Sequence, residues 1–263
     1  MSYISTMAVP DGIVMLGDML QSRGKSKSNE IPDIPLVGSK YYKKLYAMNN
    51  SVGISFATRG NKYESKGIEI GRLIKKFCEE KPYTSPAEAA RALREYIKYG
   101  GGTAIKDEFD KMYALDGEPE YVIHIAGLNE SITPPTPTSF GSIQLPGVYT
   151  ICTAPDLLQM HGSHIVDGSQ RVGFWQCGNM RQIKEYVETI NNDKDFITHC
   201  TLQDAIDATM YIYNAARGFE WMIDRIETIS ERFELLVITK DGIKWLKQHE
   251  LEVKENEHYQ STP

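Results

Sequence analysis

Apolar residues crowd positions 3–9 and 12–17, with Pro10-Asp11-Gly12 between the two runs. Pro presets one turn dihedral, Asp bonds its own backbone and Gly permits positive φ, so the segment predicts a β-hairpin. Residues 19–43 are polar, rich in Gly, Lys, Ser and Pro, and predict a loop. A second hairpin is expected where Leu45, Tyr46 and Met48 lead through Asn49-Asn50-Ser51 into Val52, Ile54, Phe56 and Ala57. The period then changes. Ile68, Ile70, Leu73, Ile74 and Phe77 recur at helical spacing within 62–80. Ser85-Pro86-Ala87-Glu88 starts a second helix, with Ser as N-cap, Pro at the first helical position and Glu88 placed to close a capping box. Gly100-Gly101-Gly102 ends it.

Further along, Tyr121–Ala126 predicts a strand followed by Gly127, and Pro134, Pro135 and Pro137 mark a loop. Shorter strands are expected at 147–152 and 171–176, and helices at 179–190 and, after a Thr201 cap, at 202–217. Residues 233–246 predict strand, Lys240-Asp241-Gly242 turn, strand. The sequence thus orders two hairpins, two helices, more strands, two helices and a closing hairpin. Hairpins imply antiparallel sheets, and paired helices suit their outer faces. The expected class is α+β, a four-layer αββα sandwich. One domain over residues 1–247 is expected, with a polar tail over 248–263.

Composition narrows the function. The chain of 263 residues is 41% hydrophobic and 24% charged, which is ordinary for a globular protein. Its net charge of −6 leaves no overall basic footprint for nucleic acid or an anionic membrane, so neither is expected as a partner. No apolar run approaches the roughly 20 residues that span a bilayer, and no signal-peptide pattern opens the chain. Cys78, Cys152, Cys177 and Cys200 lie far apart, which fits free thiols in a reducing cytoplasm. His161-Gly162-Ser163-His164 lacks the Cys or carboxylate partners of a zinc site, and the Gly100 run lacks the Lys-Ser/Thr of a phosphate loop. No metal or cofactor is expected. Trp175, Trp221 and Trp245 are read as core or subunit contacts.

Two segments carry a resemblance. Met1-Ser2-Tyr3 is followed at hairpin spacing by Asp11-Gly12-Ile13-Val14-Met15-Leu16-Gly17-Asp18. Lys44-Leu45-Tyr46-Ala47-Met48-Asn49-Asn50-Ser51-Val52-Gly53-Ile54-Ser55-Phe56-Ala57 comes next. Together they resemble the opening of proteasome β-type subunits and their bacterial ATP-dependent relatives, which are N-terminal-nucleophile hydrolases. Weaker echoes lie at Phe174–Asn191, where the family has a Gly-Ser-Gly turn before a helix, and at the closing hairpin Val237–Gly242. There are departures. Ser2 replaces the usual Thr, the loop from Asp18 to Lys44 is longer, Thr58 stands where a Gly often shapes the oxyanion hole, and Cys177 takes the Ser of the Gly-Ser-Gly turn. Residues 128–172 have no clean counterpart.

The resemblance implies a constellation. Counting back from Asp18 puts Ser2 at the nucleophile. Removal of Met1, which a small second residue permits, would free an α-amine with a pKa near about 7.7 as general base, with no propeptide needed. A hairpin turning near residues 10–12 sets Ser2 roughly opposite residue 18 or 19. Asp18 would orient a lysine. Lys44, one of two adjacent lysines and preferred to Lys43, would lower the pKa of hydroxyl and amine and stabilise the oxyanion. Backbone N–H groups near Thr58 would bind that oxyanion, Cys177-Gly178-Asn179 would offer helix-start amides, and Asp224, in competition with Glu220, would supply a further acid. The bland readings stand beside these: Ser2 as an ordinary terminal residue, Asp18 as a strand-end cap, and Lys44 as a solvated lysine at a strand start. On the functional reading, Lys44→Ala is expected to spare the fold, since a strand-start lysine adds little to a core, and to remove acylation.

The function expected from the resemblance is peptide or amide hydrolysis through Ser2, on a peptide or protein substrate. Subunits would gather in a homo-oligomeric ring, with an ATP-dependent unfoldase as a possible partner. The apolar stripes of 62–80 and 85–99 suit packing between neighbours as well as burial in the subunit's own core. A structural subunit of a proteasome-fold assembly, without turnover, is the alternative. A specialised amidase or transpeptidase is a third reading.

Overall fold

The computed structural model describes residues 3–25, 35–58, 70–96, 121–132, 143–154, 157–162, 173–177, 183–224 and 229–248. Within them the chain is mixed α+β, with two antiparallel five-stranded sheets, a two-stranded ribbon and five helices.

The first hairpin pairs β1 (Ile4–Val9) with β2 (Gly12–Asp18), Ile4 opposite Gly17 and Val9 opposite Gly12. Every residue of both strands is buried, which explains runs that are apolar on both faces rather than alternating. The polar stretch read as a loop instead contains β3 (Gln21–Lys25) and β4 (Pro35–Ser39), paired antiparallel with two register irregularities. Its strands, Gln-Ser-Arg-Gly-Lys and Pro-Leu-Val-Gly-Ser, carry no period-2 apolar signal, and Pro35 stands first in its strand, where a missing N–H is tolerated. The second hairpin joins β5 (Leu45–Met48) to β6 (Val52–Thr58), turning through Asn49 at φ 54°.

Helices α1 (Ile70–Glu80) and α2 (Pro86–Glu95) follow. Ser85 Oγ accepts from the Glu88 N–H at 3.4 Å, and Pro86 opens α2. The proposed start at 62 and the Gly100 stop lie outside the described residues. Ile74, Phe77, Ala89, Ala90 and Leu93 pack with Ile54, Phe56, Ile123 and Ile125 in one core cluster. The apolar stripes therefore turn into the subunit's own core. The outer face of α1 carries the pairs Lys75–Glu79 and Lys76–Glu80.

Strands β7 (Tyr121–Ile132) and β8 (Ile143–Ala154) are longer than the periodicity indicates, and no expected strand corresponds to β9 (Leu157–Gly162) at the sheet edge. The order of that sheet is β5-β6-β7-β8-β9. The proline loop at 134–137 lies outside the described residues. The other sheet runs β10-β1-β2-β11-β12, with β10 (Gly173–Cys177), β11 (Phe233–Thr239) and β12 (Gly242–Lys247). Gly242, at φ 112°, makes the closing turn that a side chain would strain.

Helices α3 (Lys184–Asn192), α4 (Lys194–His199) and α5 (Leu202–Asp224) complete the described chain. The short α4 was missed, although Asp193 caps it by accepting from the Phe196 N–H. Thr201 and Asp204 cap α5 reciprocally. This helix passes Gly218, where a stop was expected, and buries Ala216 and Glu220. A second cluster joins Tyr3, Val14, Leu16, Phe233 and Leu235 to Ala205, Ile212, Tyr213 and Ala216 of α5. A third, with Ala8, Ile13, Met15, Leu45, Ala126, Val148, Leu236 and Ile238, draws on strands of both sheets.

Buried among these strands, Thr6 of β1 and His124 of β7 share a 3.0 Å hydrogen bond that ties the two sheets. Burial pushes the His124 pKa down from 6.5 to about 4. Between those values the unfolded chain binds a proton that the folded chain does not. The contribution is therefore whole above 6.5 and is lost as pH falls toward 4, by about 2 kcal/mol between pH 7 and 5. Urea unfolding at both pH values, on wild type and His124→Gln, measures this. The variant should lose less stability than wild type, and equal losses would remove His124 as the cause.

Candidate active site

Asp18 ends β2 and Lys44 immediately precedes β5, so the ends of two strands in different sheets carry one ion pair. Lys44 Nζ lies 2.5 Å from Asp18 Oδ1, and both side chains are buried, 1% and 0% exposed. Gly17 makes room. A Cβ at that position would already touch Lys44 Cβ at 3.4 Å. Backbone contacts fix the strand ends: Asp18 N–H donates to the Tyr3 carbonyl, and Phe56 N–H donates to the Lys44 carbonyl.

Three backbone N–H groups share the Asp18 carboxylate with the lysine. Tyr3 N–H donates to Oδ1 at 2.7 Å, while Leu20 and Ser230 donate to Oδ2 at 3.1 and 3.3 Å. Lys44 Nζ also donates to the Leu20 carbonyl at 2.5 Å. Burial pulls the Lys44 pKa below its usual 10.5, against the opposing pull of Asp18. A lysine held this way is a fixed, desolvated donor whose charge is largely balanced by Asp18, so what a neighbouring group feels is the oriented dipole of the pair.

The burial overturns the bland reading of Lys44 as solvated, and with it the expectation, made on the functional reading, that its loss spares the fold. Removing one partner leaves the other charge buried without compensation. Lys43 plays a different part, its ammonium lying over the rings of Tyr46 and Trp245 at 5.5 and 5.3 Å.

Ser2 lies outside the described residues. One peptide bond separates it from the Tyr3 N–H that Asp18 accepts. Thr58 is the last residue of β6, opposite Tyr121, and Cys177 is the last of β10, opposite Ile4. Ile4 in turn faces Gly17, so Cys177, Ile4 and Gly17 form one row beside the ion pair. Asp224 ends α5. Glu220, four residues earlier, is 2% exposed.

Sequence reasoning missed Ser230 and the Leu20 backbone. Leu20 N–H is two residues after an Asp, a local pattern that could have been read. Ser230 is 212 positions from Asp18, and nothing local marks it. Among the described residues no three His, Cys, Asp or Glu gather as a metal site requires, and His164 lies outside them. No described helix is long and apolar enough to cross a membrane. Cys78 and Cys200 are free thiols, and burial pushes Cys78 up to about 12, far from a reactive thiolate. The sequence matches no model of a known protein family and no curated protein.

Proposed function

We propose that this protein is a proteasome-like amidohydrolase with an N-terminal serine nucleophile, built on the four-layer αββα sandwich of that family. The observation that carries the reading is the buried Lys44–Asp18 pair, tied by a 2.7 Å hydrogen bond to the backbone of Tyr3, the residue after Ser2. A desolvated ammonium beside a nucleophile favours its ionised form and the oxyanion it creates. With Met1 removed, the Ser2 hydroxyl gives its proton to its own α-amine and attacks an amide carbonyl. The amine then protonates the departing nitrogen. Water, deprotonated by the same amine, hydrolyses the acyl-enzyme and regenerates Ser2. Backbone N–H groups at the Thr58 and Cys177 strand ends supply oxyanion donors.

Layering favours the fold proposal. One core cluster joins helices to the β5–β9 sheet, another joins helices to the β1-containing sheet, and a third draws on both sheets. A homo-oligomer in the cytoplasm, acting on peptide or protein and served by an unfoldase, completes the proposal. Exposed Tyr211, Trp221 and Met222 on α5 offer apolar surface for subunit contacts.

A structural subunit without turnover is the second reading. It is favoured by one observation: Lys44 Nζ already donates to both Asp18 and the Leu20 carbonyl, as a purely structural lysine would. Intact mass spectrometry after treatment with a β-lactone separates the two. The hydrolase reading expects loss of Met1 and one adduct on Ser2. A retained Met1 with no adduct sinks it in favour of the structural subunit.

A further inference from the structure

Tyr213 of α5 is fully buried, yet it touches two of the three residues whose backbone N–H groups donate to Asp18. Its hydroxyl donates to the Ser230 carbonyl, and the N–H of that same Ser230 donates to Asp18 Oδ2. Its ring meets the Tyr3 ring edge-on at 5.5 Å, and Tyr3 N–H donates to Asp18 Oδ1. It also meets the Phe233 ring at 5.0 Å, and Phe233 is the residue opposite Asp18 across β2 and β11. Three neighbours of one carboxylate thus rest on one side chain.

We propose that Tyr213 is a positioning residue for the Asp18–Lys44 pair, fixing the Tyr3 and Ser230 backbone donors that orient the carboxylate. Hydrogen-bond strength falls steeply with misalignment, so a donor that drifts releases Asp18 to turn. The Tyr213 hydroxyl anchors Ser230, and its ring anchors Tyr3 and Phe233. The two functions separate cleanly in Tyr213→Phe, which keeps the ring and removes only the hydroxyl. The consequence for catalysis rests on the hydrolase reading, whereas the consequence for Lys44 does not.

The control is Thr209→Val. Thr209 lies one turn earlier on the same helix, equally buried, and its hydroxyl has no hydrogen-bond partner among the described residues. Two readouts apply to wild type and both variants: the rate of Ser2 acylation by a β-lactone, and the side-chain NMR titration of Lys44. Glu234, buried opposite Gly17 on β11, is present throughout, so its field cancels from the comparison. Thermal melting checks that each variant is folded.

Tyr213→Phe should slow acylation about tenfold or more, the scale of loss that small misplacements cause. It should also lower the Lys44 pKa further, because an Asp18 carboxylate that turns away gives up the attraction that opposes burial. Thr209→Val should leave both readouts as in wild type. The proposal is overturned if the Lys44 titration of Tyr213→Phe superimposes on wild type, or if Thr209→Val moves it equally. If wild type forms no adduct while Tyr213→Phe still shifts Lys44, the positioning role stands and it is the hydrolase reading that has failed.

Discussion

Lys44→Ala is expected to lose about 3–5 kcal/mol of stability, together with all acylation of Ser2. The loss follows from burial. Asp18 is 0% exposed, and with the ammonium gone three backbone N–H groups remain to hold a charge that four donors held before. The truncation also removes the buried atoms of the Lys44 side chain beyond Cβ and leaves a space in their place. The companion experiment is the double variant Asp18→Asn with Lys44→Met, which removes both charges and largely keeps volume. Replacing a whole buried pair costs far less than breaking it, so the double variant should be more stable than Lys44→Ala. It should still fail to acylate, because the field beside the nucleophile is absent. Urea unfolding at neutral pH reads the stabilities, and a serine-reactive warhead reads the acylation. A Lys44→Ala midpoint within about 1 kcal/mol of wild type would show that the pair is not buried as described. Normal labelling of the double variant would show that the charge is irrelevant to the chemistry.

Ser2→Ala is expected to abolish covalent labelling and amide turnover while changing stability by no more than about 1 kcal/mol, since it removes a single hydroxyl. The contrast with Lys44→Ala is the informative part: one change removes chemistry alone, the other removes chemistry and stability together. Ser2→Thr should retain labelling, since the added methyl restores the side chain usual in the family and narrows the χ1 rotamers. A residue placed permanently before Ser2 should be as damaging as Ser2→Ala, because it converts a basic amine into a non-basic amide. Peptide turnover by the four forms, read by mass spectrometry, decides the mechanism. If the extended form turns over peptide as fast as wild type, the α-amine is not the base. If none of the four is active, the structural-subunit reading takes precedence.

The elements most legible in the sequence were those whose signal is local. The hairpins at Pro10-Asp11-Gly12 and Lys240-Asp241-Gly242 announce themselves by turn chemistry, and Ser85-Pro86 marks a helix start because capping is a contact between near neighbours. Asp18 and Lys44 were singled out one at a time, each at a strand end. Elements that depend on distant partners were not legible. The β3–β4 strands carry no alternating apolar pattern, and β9 exists because β8 offers it an edge. The extension of α5 to Asp224 passes a glycine because tertiary packing of the helix, with Tyr213 and Ala216 in the core, outweighs a single low propensity.

The sequence by itself determined the α+β class and the first hairpin, since these follow from period and turn residues, while the candidacy of Asp18 and Lys44 came from the resemblance to proteasome β-type subunits. Only the tertiary structure decided that the two side chains meet at 2.5 Å, that Lys44 rather than Lys43 does so, and that Ser230 and Tyr213 brace them. The physical reason is range. Turn and cap energies act over a few residues, whereas desolvation and ion pairing depend on which segments fold together, and here those segments are up to 212 positions apart.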